Sequence, residues 1–256
     1  MIDWKKTPAA IYRANKGELK AVQNLDPIVL DDLLNIDHQK KLILENTQRF
    51  LDGKTSSHVL LWGARGTGKS SLVKATLNHF FKSGLRLIEF FKEDLKDLID
   101  IVDDLRDLPY KFIIFCDELS FDLEDSSYRS IKVIMDGSIE LPPKNVLFYA
   151  TSNRRHLVPE HFSDNAGNIL ENNEIHYCDS VEEKISLSDR FGLWISFYQG
   201  NLNDYLAIVD SYFPGLDDDM RSKLHLDAKN FASLRASNSG RTAKQFFYLY
   251  NDKYLK

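Results

Sequence analysis

Cysteine is nearly missing from this chain of 256 residues: there are two, Cys116 inside an apolar run and Cys178 in a polar one. Such a pair offers neither zinc-ligand spacing nor a disulfide framework, so a reduced, cytoplasmic setting is expected. Long hydrophobic runs are missing too. The longest, Phe112–Cys116 and the FGLWISFY segment ending at Tyr198, fall well short of the roughly 20 residues that span a membrane as a helix, so no membrane insertion is expected. The opening residues, MIDWKKTPAAIYRANK, hold no continuous apolar core followed by small residues, and no secretory signal is read there. An excess of positive charge is also lacking, with 33 Lys+Arg against 38 Asp+Glu and a formal net charge of −5. That balance excludes indiscriminate coating of DNA, which needs a dominant basic field, while leaving room for a local basic groove. There is no internal repeat and no low-complexity tract.

What is present is ordinary globular material. Hydrophobic residues make up 43% and aromatics 12%, enough for a packed core. The length suits one α/β domain with a small appendage. Residues 1–35 are mixed in character, interrupted by Pro8, Pro27 and the acidic pair Asp31 and Asp32, and read as an N-terminal arm. A first helix is predicted from Asp37 to just before Gly53.

From His58 the pattern becomes strand, turn, helix, repeated. Short apolar runs at 58–62, 85–91, 112–116, 146–150 and 192–198 read as five strands. Between them lie helical patterns that stop at glycines, one carrying Val73, Leu77, Phe80 and Phe81, another Tyr128, Ile131 and Met135. Residues 93–107 hold seven carboxylates, but Leu95, Leu98, Val102 and Leu105 recur at helical spacing, so the acids read as a solvated helix face. Such alternation implies a parallel sheet covered on both faces. Residues 160–184 are polar and read as an insertion or loop. Beyond residue 200 the chain reads as helical, with Tyr205, Leu206, Val209 and Phe213 on one face.

The sharpest chemical signal is Gly63-Ala64-Arg65-Gly66-Thr67-Gly68-Lys69-Ser70, which fits G-x-x-x-x-G-K-[ST] between a buried strand and a helix. Glycines let the backbone curl so that its N–H groups point around phosphate oxygens, and the following helix, with Ser71 in its first turn, adds a positive dipole end. Lys69 supplies charge to the β- and γ-phosphates of ATP, and Ser70 a hydroxyl to Mg²⁺. At the end of the 112–116 strand stand Asp117 and Glu118, where one carboxylate can hold Mg²⁺ and the other orient water. Asn153 follows the next strand and can reach the same place; a plain turn residue is the alternative there. No Asn-Lys-x-Asp guanine motif occurs, since Asn15-Lys16-Gly17-Glu18 lacks the final Asp.

This order of motifs, continued by Ser188-Asp189-Arg190-Phe191 and Ser239-Gly240-Arg241, resembles the AAA+ ATPases. The phrases FCDELSF, YATSNRRHL, SLSDRFGLW and SGRTAKQF resemble one bacterial family of ATP-binding proteins within that superfamily. The resemblance implies a three-layer αβα P-loop fold with a five-stranded parallel sheet in the order 5-1-4-3-2, a nucleotide-binding core over 36–199 and a small helical lid over 200–256. It implies that Arg190 is an arginine finger acting in a neighbouring subunit's site, and that Arg241 contacts the γ-phosphate in its own. Leu34 and Ile36 match the region that packs on adenine. Together these imply a homo-oligomer, formed on ATP binding, that turns ATP into ADP to remodel a protein or nucleic-acid client.

Two departures stand out. Phe90-Phe91 is followed by Lys92-Glu93-Asp94, without the glycine of a polypeptide-threading loop, and Asn35 stands where glycine is frequent. His156, His161 and His176 lack ligand spacing, so no metal beyond Mg²⁺ is expected. Arg154 and Arg155 keep a nucleic-acid-associated loader or initiator as the second reading, with a small-molecule kinase and a slow nucleotide switch behind it.

Overall fold

The five apolar runs become strands because residues facing opposite sides of one sheet alternate along each of them. The computed structural model describes residues 2–121, 128–155, 157, 169–171, 174–176 and 187–255. In chain order the strands are β1 (Ala9–Arg13), β2 (Glu18–Ala21), β3 (Val59–Gly63), β4 (Leu85–Glu89), β5 (Lys111–Cys116), β6 (Val146–Ser152), β7 (Ile169–Glu171), β8 (Glu174–His176) and β9 (Leu193–Phe197). The helices are α1 (Asp37–Leu51), α2 (Lys69–Phe80), α3 (Leu98–Leu105), α4 (Tyr128–Asp136), α5 (Leu202–Tyr212), α6 (Asp218–Arg235) and α7 (Gly240–Tyr254).

Strands β4, β5, β6, β3 and β9 lie side by side in that order, all parallel, which is the expected 5-1-4-3-2 arrangement. The sheet has seven strands rather than five. The two extra come from the segment read as an arm: β1 pairs parallel with β4 and antiparallel with β2, turning through Gly17 at φ +60°. Trp4, ahead of it, is equally fixed. Trp4 is buried edge-on against Phe112, with ring centroids 5.1 Å apart, and its carbonyl accepts from Arg86 Nε. The hairpin escaped the sequence reading because β1 is short, starts with two alanines and follows Pro8, so no apolar alternation announces it.

Each face of the sheet has its own core. Leu60, Ile88, Phe112, Ile114 and Phe148 pack against Leu98 and Val102 of α3 and Ile131 of α4. Their neighbours Val59, Leu61, Ile113, Phe115 and Tyr149 pack against Ile43 of α1 and Leu72 and Leu77 of α2. Burying each such side chain contributes about 1.5–3 kcal/mol, so this alternation specifies the register strongly. The acidic 93–107 segment folds as expected, in a 3₁₀ turn over Lys92–Asp97 followed by α3, with Leu95, Leu98, Val102 and Leu105 buried. Of the polar 160–184 stretch, β7 and β8 form a small antiparallel ribbon, and the rest lies outside the described residues.

Helices α5 to α7 pack around a third core, including Tyr205, Val209, Phe213, Leu224 and Phe246. Their starts are capped by Asn201, Asp217 and Ser239, whose side chains accept backbone N–H groups of the first turn. Parallel strands place every β-to-α turn at the carboxyl edge of the sheet, and there the site is built.

Candidate functional site

Strand β3 ends at Gly63, where φ is +130° and a Cβ would stand 1.9 Å from the carbonyl oxygen of Phe197. Glycine is therefore required for β9 to approach the loop, and the Ala64 N–H donates to that same Phe197 carbonyl at 3.1 Å. The loop closes on Gly68, at φ +96°, which precedes α2 and leaves the helix N-terminus facing a cleft. Lys69, 7% exposed, folds its ammonium onto the loop, donating to the carbonyls of Gly63 at 2.8 Å and Ala64 at 2.7 Å and to Asn153 Oδ1 at 3.3 Å. Burial lowers the Lys69 pKa, while Asp117 and Glu118 oppose that shift. Thr67 Oγ1 donates to the Ala64 carbonyl at 2.8 Å and holds the turn.

The two carboxylates leave β5 side by side but in different directions. Ser70 Oγ donates to Asp117 Oδ1 at 2.7 Å. Glu118 takes a left-handed backbone, φ +53°, uncommon for a residue with a side chain, and its Oε1 lies 3.5 Å from Asn153 Nδ2. A threonine passed over as strand filler joins them: Thr151 Oγ1, fully buried on β6, donates to Asp117 Oδ1 and accepts the Glu118 N–H. Glu89 closes β4 much as Asp117 follows β5. Burial and the neighbouring Asp117 push its carboxyl pKa up, against Lys74 and Arg13. A carboxylate at the end of an apolar strand was its available signal.

Helices α5 and α7 supply a further part of the cleft's lining. A Cβ on Gly66, at φ +74°, would sit 2.8 Å from Ser239 Oγ and 3.2 Å from Arg241 Cβ, so the glycine loop and the start of α7 are in contact. The cleft so enclosed has a volume of about 1140 Å³. It is lined by Arg65 through Ser71 of the loop and, beside them, by Asp117, Glu118, Asn153 and Arg241. Leu34 and Ile36 line it with Tyr212 and Ile208 of α5, and a Cβ on Gly68 would lie 3.8 Å from Ile36 Cδ1. Asn35 between them adopts φ +61°, a conformation asparagine tolerates, so the place where glycine is frequent is filled without loss of the turn. Its Nδ2 lies 3.3 Å from the carbonyl oxygen of Asp204, tying the turn to α5.

Arg190 is not brought to this cleft. It precedes β9, whose Phe197 end pairs with Gly63, so Arg190 sits at the amino edge of the sheet, about one strand length or 16 Å away. There its Nε donates to Asp136 Oδ2 at the end of α4. Of the basic cluster, the Arg155 guanidinium lies 5.8 Å from the Trp62 ring centroid. Arg154 lies beside it, and His156 falls outside the described residues.

Comparison with known proteins gives three findings. The family described as "Protein of unknown function (DUF815)" matches residues 5–254. No curated protein matches the chain. Among solved structures, the chain is similar to the RuvB Holliday junction branch migration motor of Thermotoga maritima, at 16% identity over 89% of this chain and 73% of that one, with a TM-score of 0.47. For a proline-to-glycine variant of the same RuvB the values are 16%, 89%, 74% and 0.50. At such identity the likeness concerns the fold. Among the described residues no helix is long and apolar enough to cross a membrane.

Proposed function

The chain belongs to the DUF815 family, and from that membership and its AAA+ P-loop fold we propose a Mg²⁺-dependent ATPase whose sites are completed between subunits. One observation carries the reading. Lys69, Ser70, Asp117, Glu118 and Asn153 converge in a cleft that Arg241 also lines, whereas Arg190 stands at the opposite edge of the sheet.

The donor set suits a nucleoside triphosphate with its cation. A glycine turn, a helix N-terminus and a buried lysine attract phosphate, and a hydroxyl–carboxylate pair 2.7 Å apart suits a hard cation. Ser70 and Asp117 would hold Mg²⁺, which when bound neutralises charge on the phosphates. Lys69 would exchange its bonds to the Gly63 and Ala64 carbonyls for phosphate oxygens. Glu118 orients water and accepts its proton, with Asn153 steering the Glu118 carboxylate. Leu34 and Ile36 supply apolar contact for adenine, and Arg241 binds the γ-phosphate from the lid. In this reading residues 36–199 are the nucleotide-binding core and 200–256 the lid.

Arg190 then serves a second copy of the chain, so turnover requires a homo-oligomer, assembled when ATP is bound. The energy would drive rearrangement of subunits on a client. The test mixes two inactive proteins. Lys69→Ala lacks a working cleft but keeps Arg190; Arg190→Ala keeps the cleft. Mixing them should restore ATP hydrolysis, and a mixture as inactive as its parts overturns the shared site.

A second reading, an ATPase acting on nucleic acid, draws on a smaller cavity of about 540 Å³ beside the hairpin. Arg13, Lys16 and Lys20 line it with the half-exposed Phe91 and the acids Glu18 and Asp94, and none of the three cations has an ion-pair partner among the described residues. Binding of single-stranded DNA that weakens steeply with salt would favour it.

A further inference from the structure

Three consecutive residues at the end of β5 close on one threonine. Thr151 Oγ1 donates its proton to Asp117 Oδ1. The same oxygen accepts the Glu118 N–H at 2.9 Å. The Thr151 carbonyl accepts the Leu119 N–H at 2.7 Å. Thr151 is fully buried, so these partners are not traded with water.

Two consequences follow from that junction. Asp117 Oδ1 accepts hydroxyl protons from both sides, Ser70 on α2 and Thr151 on β6, which fixes the plane of the carboxylate. Oδ2 accepts no hydrogen bond among the described residues and stays available. Glu118, one residue on, holds a left-handed backbone that a glutamate rarely adopts, and such a conformation persists only where its surroundings over-determine it. The bonds of Thr151 to residues 117, 118 and 119 provide that determination. One hydroxyl therefore bonds both the Asp117 carboxylate and the Glu118 backbone: a valine at this place would keep the shape, the strand and the Leu119 bond but remove the bonds to Asp117 and Glu118 together.

We propose that Thr151 is the positioning residue of the site, orienting Asp117 toward the cation and fixing the turn that aims Glu118 at Asn153. The inference rests on the proposed role of Asp117 as a Mg²⁺ carboxylate. Loss of partners that orient a metal-binding group typically weakens metal affinity about 10- to 100-fold.

The test reads binding rather than turnover. A fluorescent ATP analogue is titrated with wild type, Thr151→Val, Thr151→Ala, Thr151→Ser and Asp117→Asn, first in excess EDTA and then across a Mg²⁺ series. Thr151→Val should leave affinity in EDTA within about twofold and raise the half-saturating Mg²⁺ concentration by about tenfold or more. Thr151→Ser, which keeps the hydroxyl, should restore the wild-type Mg²⁺ dependence. A purely structural role would lower the melting temperature and leave the Mg²⁺ dependence alone. If Thr151→Val does not fold, Thr151→Ala gives the same readout without placing a methyl against a carboxylate. Asp117→Asn shifting the Mg²⁺ dependence while the folded Thr151 variant does not would overturn the inference alone. Asp117→Asn leaving it unshifted would overturn the role of Asp117 and the inference with it.

Discussion

Arg190 is bound by Asp136, the last residue of α4, one strand length from the phosphate loop of its own chain. The pair is partly exposed, with side chains 28% and 47% accessible, so it contributes under about 1 kcal/mol to stability. A surface pair that weak does not by itself require an arginine. Asp136→Asn should therefore change the free energy of unfolding by less than about 1 kcal/mol and leave ATP turnover near wild type. Arg190→Ala should lower turnover by about 10³-fold with ATP affinity nearly unchanged, as expected for a group used in the transition state of another subunit. Steady-state kinetics with direct nucleotide titration separate the two. Equal, small effects of both substitutions would make Arg190 a structural residue.

Gly66 tests the contact between phosphate loop and lid. A methyl there would meet the N-cap oxygen of α7 and the Cβ of Arg241, at a backbone conformation L residues rarely adopt. Gly66→Ala should cost about 1–2 kcal/mol in chemical denaturation, from backbone strain and a disturbed cap, and weaken ATP binding about tenfold by pushing Arg241 away. Unaltered ATP affinity would mean that the lid arginine does not share the site.

His58 predicts how the protein meets acid. Its Nδ1 accepts the Phe148 N–H at 2.9 Å, and burial holds its pKa down to about 4, against weaker support for the charged form from the Met135 backbone and Asp136. An unfolded chain takes up this proton near pH 6.5, whereas the folded protein does so near 4. The unfolded state thus binds more protons between those values, so stability is complete above about 6.5 and falls as pH drops toward 4. The loss from this group amounts to about 3 kcal/mol at most. Urea denaturation over pH 4–7 should show that limb, and His58→Gln, with no proton to gain, should flatten it.

Trp4 tests whether the N-terminal segment belongs to the core. Its ring is buried on Phe112, which lies on the central strand β5. Trp4→Ala should cost about 3–5 kcal/mol, the range for removing a large buried aromatic. An accessory arm would lose under about 0.5 kcal/mol.

Sequence and structure agree most closely where one residue type answers one physical need. Apolar runs too short for helices became the parallel strands. The glycines of the phosphate loop stand where φ is positive or a Cβ would collide. Asp117 and Glu118 were visible because carboxylates after a buried strand are conspicuous. The hairpin was hidden because Ala9 and Ala10 give no alternation and its partner β4 lies more than sixty residues away. Thr151 was hidden for the opposite reason: a β-branched residue in YATSN satisfies strand propensity so well that its hydroxyl goes unremarked. Asp136 could not be paired with Arg190 by any local pattern, since 54 residues separate them.

Helices α5 to α7 pack around a core to which, among the described residues, no residue of the sheet contributes, and the chain reaches them through the short link 198–201. An element with its own interior is expected to respond as one unit, with Arg241 at the start of α7 part of it. A pair of probes, one beside Asp31 before α1 and one on the outer face of α7, would read the nucleotide state as a distance, in a mixed assembly one subunit at a time.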